Sequence, residues 1–224
     1  MGEFGDASVD LVAAVLGRRV RRCLLLIRHS AREYEPGRHD LENPLTAEGR
    51  ALSRRLGERL PKSLTLRGYA GPPHRCMETA ELVLAGHEAR GGAITRHRPL
   101  EALGVFYALD QMKMWKGMRE AGGLVPYMAQ WFAGGVPADA MMQPASAARL
   151  LATVLAAKLR SPVADHQLDV CVSHDMSLHL LRHQLLGERL DEAPVAYLDG
   201  LLLFEEDGVL KMASHRGTET ALEL

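Results

Sequence analysis

"CLLLIRHSAR", residues 23–32, runs five apolar residues straight into a histidine that stands between Arg28 and Arg32. An unbroken apolar run of this length, without alternation, is the pattern of a strand covered on both faces. A sheet built from such strands needs helices on either side, which already points to an α/β fold. A second run, "LDVCVSHD" at 168–175, also reads as a strand that ends in a histidine.

Working outward, the pattern alternates between short runs and helical periods. Residues 8–17 read as a short helix, and 31–44, with Pro36, Gly37, Asn43 and Pro44, as a loop. Thr46 has the chemistry of an N-cap, with Glu48 in the first turn. Leu52, Leu56 and Leu60 then recur on one helical face until Pro61. A strand is expected at 64–70, broken by Gly68, then a helix at about 74–86 ended by Gly86, and another strand at 93–98. Leu150, Leu151, Val154, Leu155 and Leu159 mark an amphipathic helix over 145–160, and a further helix spans about 175–187, ended by Gly187. Strands at about 199–204 and 209–214, joined by Asp207-Gly208, form a hairpin. The expected fold is a three-layer α/β/α sandwich with a mainly parallel sheet, made mixed by the hairpin.

Residues 100–145 differ from the rest. They hold Trp115, Trp131 and six methionines, and Gly122-Gly123 and Gly134-Gly135 split them into short helices. This reads as a small helical cap inserted into a single domain of residues 1–224. Trp115, Trp131, Phe106 and Tyr107 either line a substrate pocket or form the cap's own small core.

Composition narrows the function classes. The chain has 224 residues, 47% hydrophobic and 25% charged, with a formal net charge of −1. It carries no nucleic-acid signature. The basic run Arg18-Arg19-Val20-Arg21-Arg22 reads as a solvated strand entry. Three cysteines, Cys23, Cys76 and Cys171, have no metal-type spacing and are expected as buried free thiols. No stretch reads as a membrane span or a signal peptide, so a cytoplasmic location is the expectation.

In open α/β sheets ligands collect at the carboxyl ends of the strands. That rule places His29, His174 and, just past a third strand, Arg75 on one rim. Arg28, Arg32 and Arg75 each offer a planar fork of donors that suits phosphoryl oxygens. Helix starts after residues 74 and 174 add backbone N–H groups. No P-loop pattern is present. His39-Asp40 either borders the site or belongs to a solvated loop, the latter being the preferred reading, and His179 and His183, four apart, read as a surface pair rather than metal ligands.

These residues resemble the histidine phosphatase superfamily. Arg28-His29-Ser30 stands where its Arg-His-Gly signature would be, with Ser30 for the glycine. "PLTAEGRALSRRLGERL" (44–60) is similar to its LT-x-x-G helix, "GPPHRCMETAELV" (71–83) to its SP-x-x-RC-x-TA segment, and "VSHDMS" (172–177) to its second catalytic histidine. The resemblance implies a phosphomonoester hydrolase that needs neither metal nor cofactor and acts on a small-molecule or peptide phosphomonoester, with neither a nucleic-acid nor a membrane partner. It implies His29 as the nucleophile and Arg28, Arg32, Arg75 and His174 as the phosphate pocket. The family splits on the proton donor. One branch uses an acid after the third strand, as mutases do; the acid phosphatase branch uses the Asp of a His-Asp pair. His174-Asp175 is similar to the latter, which makes Asp175 the donor and Glu101 the fallback. The alternatives are a phosphoglycerate mutase-like phosphotransferase and a phosphate- or partner-binding protein of this fold without turnover.

Overall fold

The computed structural model of the chain describes residues 3–35, 40–190 and 194–224. The first half runs α1 (Asp6–Leu16), β1 (Arg22–Arg28), α2 (Ala47–Arg59), β2 (Thr65–Ala70), α3 (His74–Ala89), β3 (Ala93–Ile94) and β4 (Arg98–Pro99). It continues with α4 (Gln111–Glu120), α5 (Leu124–Phe132), α6 (Pro144–Leu159), β5 (Gln167–Ser173) and α7 (Asp175–Leu186). The chain closes with β6 (Gly200–Glu206), β7 (Val209–Ser214) and β8 (Glu219–Ala221).

The apolar run forms the central strand. β1 lies between β5, parallel, and β6, antiparallel. The full order is β3-β2-β5-β1-β6-β7-β8, with β4 also on β2. The parallel part is β1 to β5, and the antiparallel part is the C-terminal meander. Consecutive side chains of β1 enter opposite cores, as strand geometry requires. Leu24 and Leu26 join Leu151, Leu155, Leu178 and Leu181 on one face. Leu25 and Ile27 join Val12, Leu52, Leu56 and Val83 on the other. Thus α1, α2 and α3 cover one side and α6 and α7 the other, as expected of three layers. Each fully buried Leu or Ile contributes about 1.5–3 kcal/mol relative to exposure.

Several boundaries depart from expectation because of glycines that pack rather than break. α3 continues through Gly86 to Ala89. A Cβ at Gly86 would lie 2.0 Å from the Arg54 carbonyl oxygen, and one at Gly57 would lie 1.9 Å from that of Val83. The two glycines let α2 and α3 cross backbone to backbone. β2 likewise runs unbroken through Gly68. The expected strand at 93–98 is instead two short pieces, β3 and β4. Leu150 lies off the buried face of α6 and is 45% exposed; Ala147, Ala148 and Ala152 take that face with Leu151 and Leu155. The β6–β7 turn has positive φ at both Asp207 (52°) and Gly208 (78°), the geometry that a two-residue hairpin needs.

Within 100–143, α4 and α5 lean on the α6–α7 side of the core. Trp131 and Tyr107 are fully buried there, stacked with ring centroids 5.3 Å apart. The three cysteines are buried free thiols. Among the described residues, no helix is long and apolar enough to cross a membrane.

Candidate active site

The parallel pairing of β1 and β5 sets Arg28 opposite Ser173. The His29 backbone N–H then donates to the Ser173 carbonyl at 2.9 Å. This brings the His29 and His174 rings edge to face, with centroids 5.5 Å apart. β2 lies on the far side of β5, and the turn after it opens α3, whose first turn carries Arg75. Three strand ends thus deliver three groups to one point.

Arg75 Nε donates to His29 Nε2 at 3.1 Å. An arginine is always protonated, so Nε2 is the acceptor and the imidazole proton sits on Nδ1. Nδ1 donates to the Ser30 carbonyl at 2.9 Å. His29 is 3% exposed. Burial first, then the positive charge of Arg75, holds its pKa well below the ordinary 6.5. His29 therefore presents an unprotonated Nε2. His174 is pushed down to about 4, again by burial and then Arg75.

The structure brings six of the seven residues that the sequence pointed to into one cavity of about 180 Å³: Arg28, His29, Arg32, Arg75, His174 and Asp175. Arg28 is held from three sides. Asp175 Oδ2 lies 3.0 Å away, the Val195 carbonyl accepts at 2.6 Å, and the Tyr197 ring lies 4.4 Å below the guanidinium. Glu101 is not in this cavity. It borders a neighbouring recess with Pro72, Gly104 and Phe106, and that recess shares Leu41, Val105 and His174 with the first.

Asp40 borders the cavity, so of the two readings of its loop the preferred solvated one gives way. Its carboxylate pairs with both Arg32 and Arg75, and its backbone carbonyl accepts from Arg75 at 2.6 Å. One carboxylate thus engages two of the arginines that would face a phosphoryl group. Asp40→Asn keeps the shape and removes the competing charge. The inhibition constant for inorganic phosphate is expected to fall roughly two- to fivefold, as for a partly exposed ion pair. A weaker phosphate affinity in the variant would contradict the competition. His39, its neighbour, lies outside the described residues.

Ser30, the departure from the signature, points away from the cavity. Its hydroxyl donates to the Gly49 carbonyl at 2.8 Å, and its N–H donates to Thr79 Oγ1 at 3.2 Å. Thr46 caps α2 by accepting from the Gly49 N–H at 2.8 Å. A Cβ at Gly49 would lie 2.1 Å from the Ala31 carbonyl oxygen. The 44–60 helix start therefore clamps the backbone just behind the nucleophile candidate.

His179 is not on the surface: it is 5% exposed, one turn beyond Asp175, and burial pushes it down to about 4. His183 stacks on Phe132 at 4.4 Å. Among the described residues, no group of three or more His, Cys, Asp or Glu is placed to hold a metal. Of the cap aromatics, Trp115 lines the cavity, Phe106 borders the Glu101 recess, and Trp131 and Tyr107 serve the core. Sequence reading missed Tyr197, whose loop carries no motif. It also missed Met118 beside Trp115, although their i, i+3 spacing put both on one face of a helix.

The family model of the histidine phosphatase superfamily (branch 1) matches residues 24–199. The chain belongs to this superfamily. The histidine phosphatase core thus extends from the middle of β1 to the threshold of β6. Similar solved structures include a phosphoglycerate mutase from Bacillus anthracis, 17% identical, covering 88% of this chain and 94% of that one, with a TM-score of 0.57. A phosphoserine phosphatase variant from Entamoeba histolytica, in complex with phosphoserine, is 16% identical over 86% and 95% of the chains, TM-score 0.54. A mycobacterial glucosyl-3-phosphoglycerate phosphatase is 16% identical over 89% and 96%, TM-score 0.53. A search of curated proteins found no match.

Proposed function

We propose that this histidine phosphatase superfamily member is a phosphomonoester hydrolase that works through a phosphohistidine on His29. The observation that carries the reading is the neutral Nε2 of His29, faced by Arg75 in a cavity that also presents Arg28, Arg32 and His174. Nε2 attacks phosphorus as the ester P–O bond breaks, and the departing alkoxide takes a proton from a carboxylic acid. Water then attacks the phosphohistidine, its proton returns to that carboxylate, and the N–P bond breaks. The arginines stabilise the charge on the equatorial oxygens without reorganising. Residues 100–143 act as the cap over this site. The small phosphorylated compounds named for the similar phosphatases support a small or medium substrate.

Asp40 and Asp175 line the cavity and Glu101 borders the adjoining recess. Asp40 is committed to Arg32 and Arg75, and of the other two we assign the donor role to Glu101. Both oxygens of Asp175 are already engaged: Oδ2 with Arg28, and Oδ1 by the Met176 N–H at 2.9 Å. Asp175 is better placed to hold Arg28 than to release a proton. The branch 1 match and the fold likeness to a mutase also favour an acid that follows the third strand. Leaving groups separate the two. Glu101→Gln is expected to lower turnover of ethyl phosphate on the order of 100-fold or more. Its effect on 4-nitrophenyl phosphate, whose leaving group needs no proton, stays under about tenfold. Asp175→Asn is expected to impair both esters alike, through KM. The reverse pattern moves the donor to Asp175. Failure of the wild type to release phosphate from either ester overturns the hydrolase reading.

A further inference from the structure

The wall that would face the organic part of the substrate is apolar. The same cavity is lined by Val105, Met114, Trp115, Met118, Leu124 and Met176. Asp40, Trp115 and Met118 also line an adjoining recess of about 590 Å³, which continues outward over Met112 and Tyr34. Met112 and Tyr34 are 77% and 76% exposed. The cleft therefore has a cationic end and a long apolar flank built from α4 and the start of α5.

The cationic side chains of α4 do not enter the inner cavity. Lys113 pairs with Asp139, Lys116 with Glu120, and Arg119 borders only the outer recess. Among the described residues, the arginines of the inner cavity are Arg28, Arg32 and Arg75, so a second anionic group reaching away from them, as in a phosphoglycerate, would meet thioethers and an indole. A flat apolar group would instead exclude water from Trp115 and make sulfur–aromatic contacts with the methionines.

Resting on the phosphomonoesterase reading, we propose that the substrate is an arylalkyl phosphomonoester: phosphate at His29, and an aromatic body lying along Trp115 and Met118. The unbranched methionine side chains adapt to the ring's outline, while the indole fixes its plane.

The test compares esters with closely similar primary alcohol leaving groups. Benzyl and 2-phenylethyl phosphate are set against ethyl phosphate and 3-phosphoglycerate. The expected kcat/KM for the arylalkyl esters is at least about tenfold above the other two. In Trp115→Ala and Met118→Ser that ratio falls toward one. Trp115 and Met118 both also pack against the core, so thermal unfolding checks each variant. Binding is measured in parallel, by calorimetry with benzylphosphonate and ethylphosphonate on the wild type. Tighter binding of benzylphosphonate, about tenfold, is expected. Equal kcat/KM for the four esters, or equal affinity for the two phosphonates, overturns the arylalkyl assignment. If no ester is turned over but benzylphosphonate keeps its advantage, the hydrolase reading falls and the aromatic cleft stands.

Discussion

His29→Ala is expected to lower phosphate release by at least on the order of a thousandfold. The other polar groups of the pocket remain, so what is lost is the covalent route itself. With a labelled substrate, the wild type is expected to yield an acid-labile, alkali-stable adduct on quenching, and the variant none. Because burial and Arg75 keep the His29 pKa well below 6.5, its nucleophilic form persists as pH falls from 7 toward 5.5. An ordinary histidine would be about nine-tenths protonated at pH 5.5. Any acid limb of kcat/KM near pH 6.5 must therefore come from another group. Equal turnover in His29→Ala and wild type would remove His29 from the mechanism. Isomerised phosphoglycerate in place of free phosphate would favour the phosphotransferase alternative.

The largest expected effect on stability lies away from the site. Asp169→Ala is expected to cost about 3–5 kcal/mol in urea unfolding. β2 and β5 set Arg67 directly opposite Asp169. The pair is bidentate, at 2.8 Å and 2.7 Å, and Asp169 is fully buried. Gln167 also donates to Asp169, while the Ser161 and Lys158 carbonyls accept from Arg67. Losing the carboxylate leaves a buried guanidinium without its counter-charge, which is far costlier than losing the pair as a whole. Arg67→Met with Asp169→Leu is accordingly expected to recover most of the stability. A loss below about 1 kcal/mol in Asp169→Ala would show that water or the carbonyls suffice for Arg67.

The sequence readings that held rest on local physics. The apolar run of β1 needed cover on both faces, so a layered α/β fold followed from residues 23–27 and their helical neighbours. Thr46 and Gly187 marked helix ends because capping involves only residues a few positions apart. Gly68 and Gly86 misled for the complementary reason. Locally each weakens its element, yet the close approach of His97 to one and of Arg54 to the other accounts for the glycine.

The site divides along the same line. The sequence alone determined which groups stand at strand ends: His29 after β1, Arg75 after β2, and His174-Asp175 after β5. Strand-end placement is a consequence of α/β topology, and the donor chemistry of each residue type is intrinsic. Only the tertiary structure decided that Asp40 spans Arg32 and Arg75, that Tyr197 and the Val195 carbonyl fix Arg28, and that Trp115 and Met118 wall the cleft while Trp131 and Tyr107 are consumed by the core. Arg28 and Val195 are 167 residues apart. No periodicity or cap links positions so distant; they meet only where the assembled sheet and the packed helices bring them together.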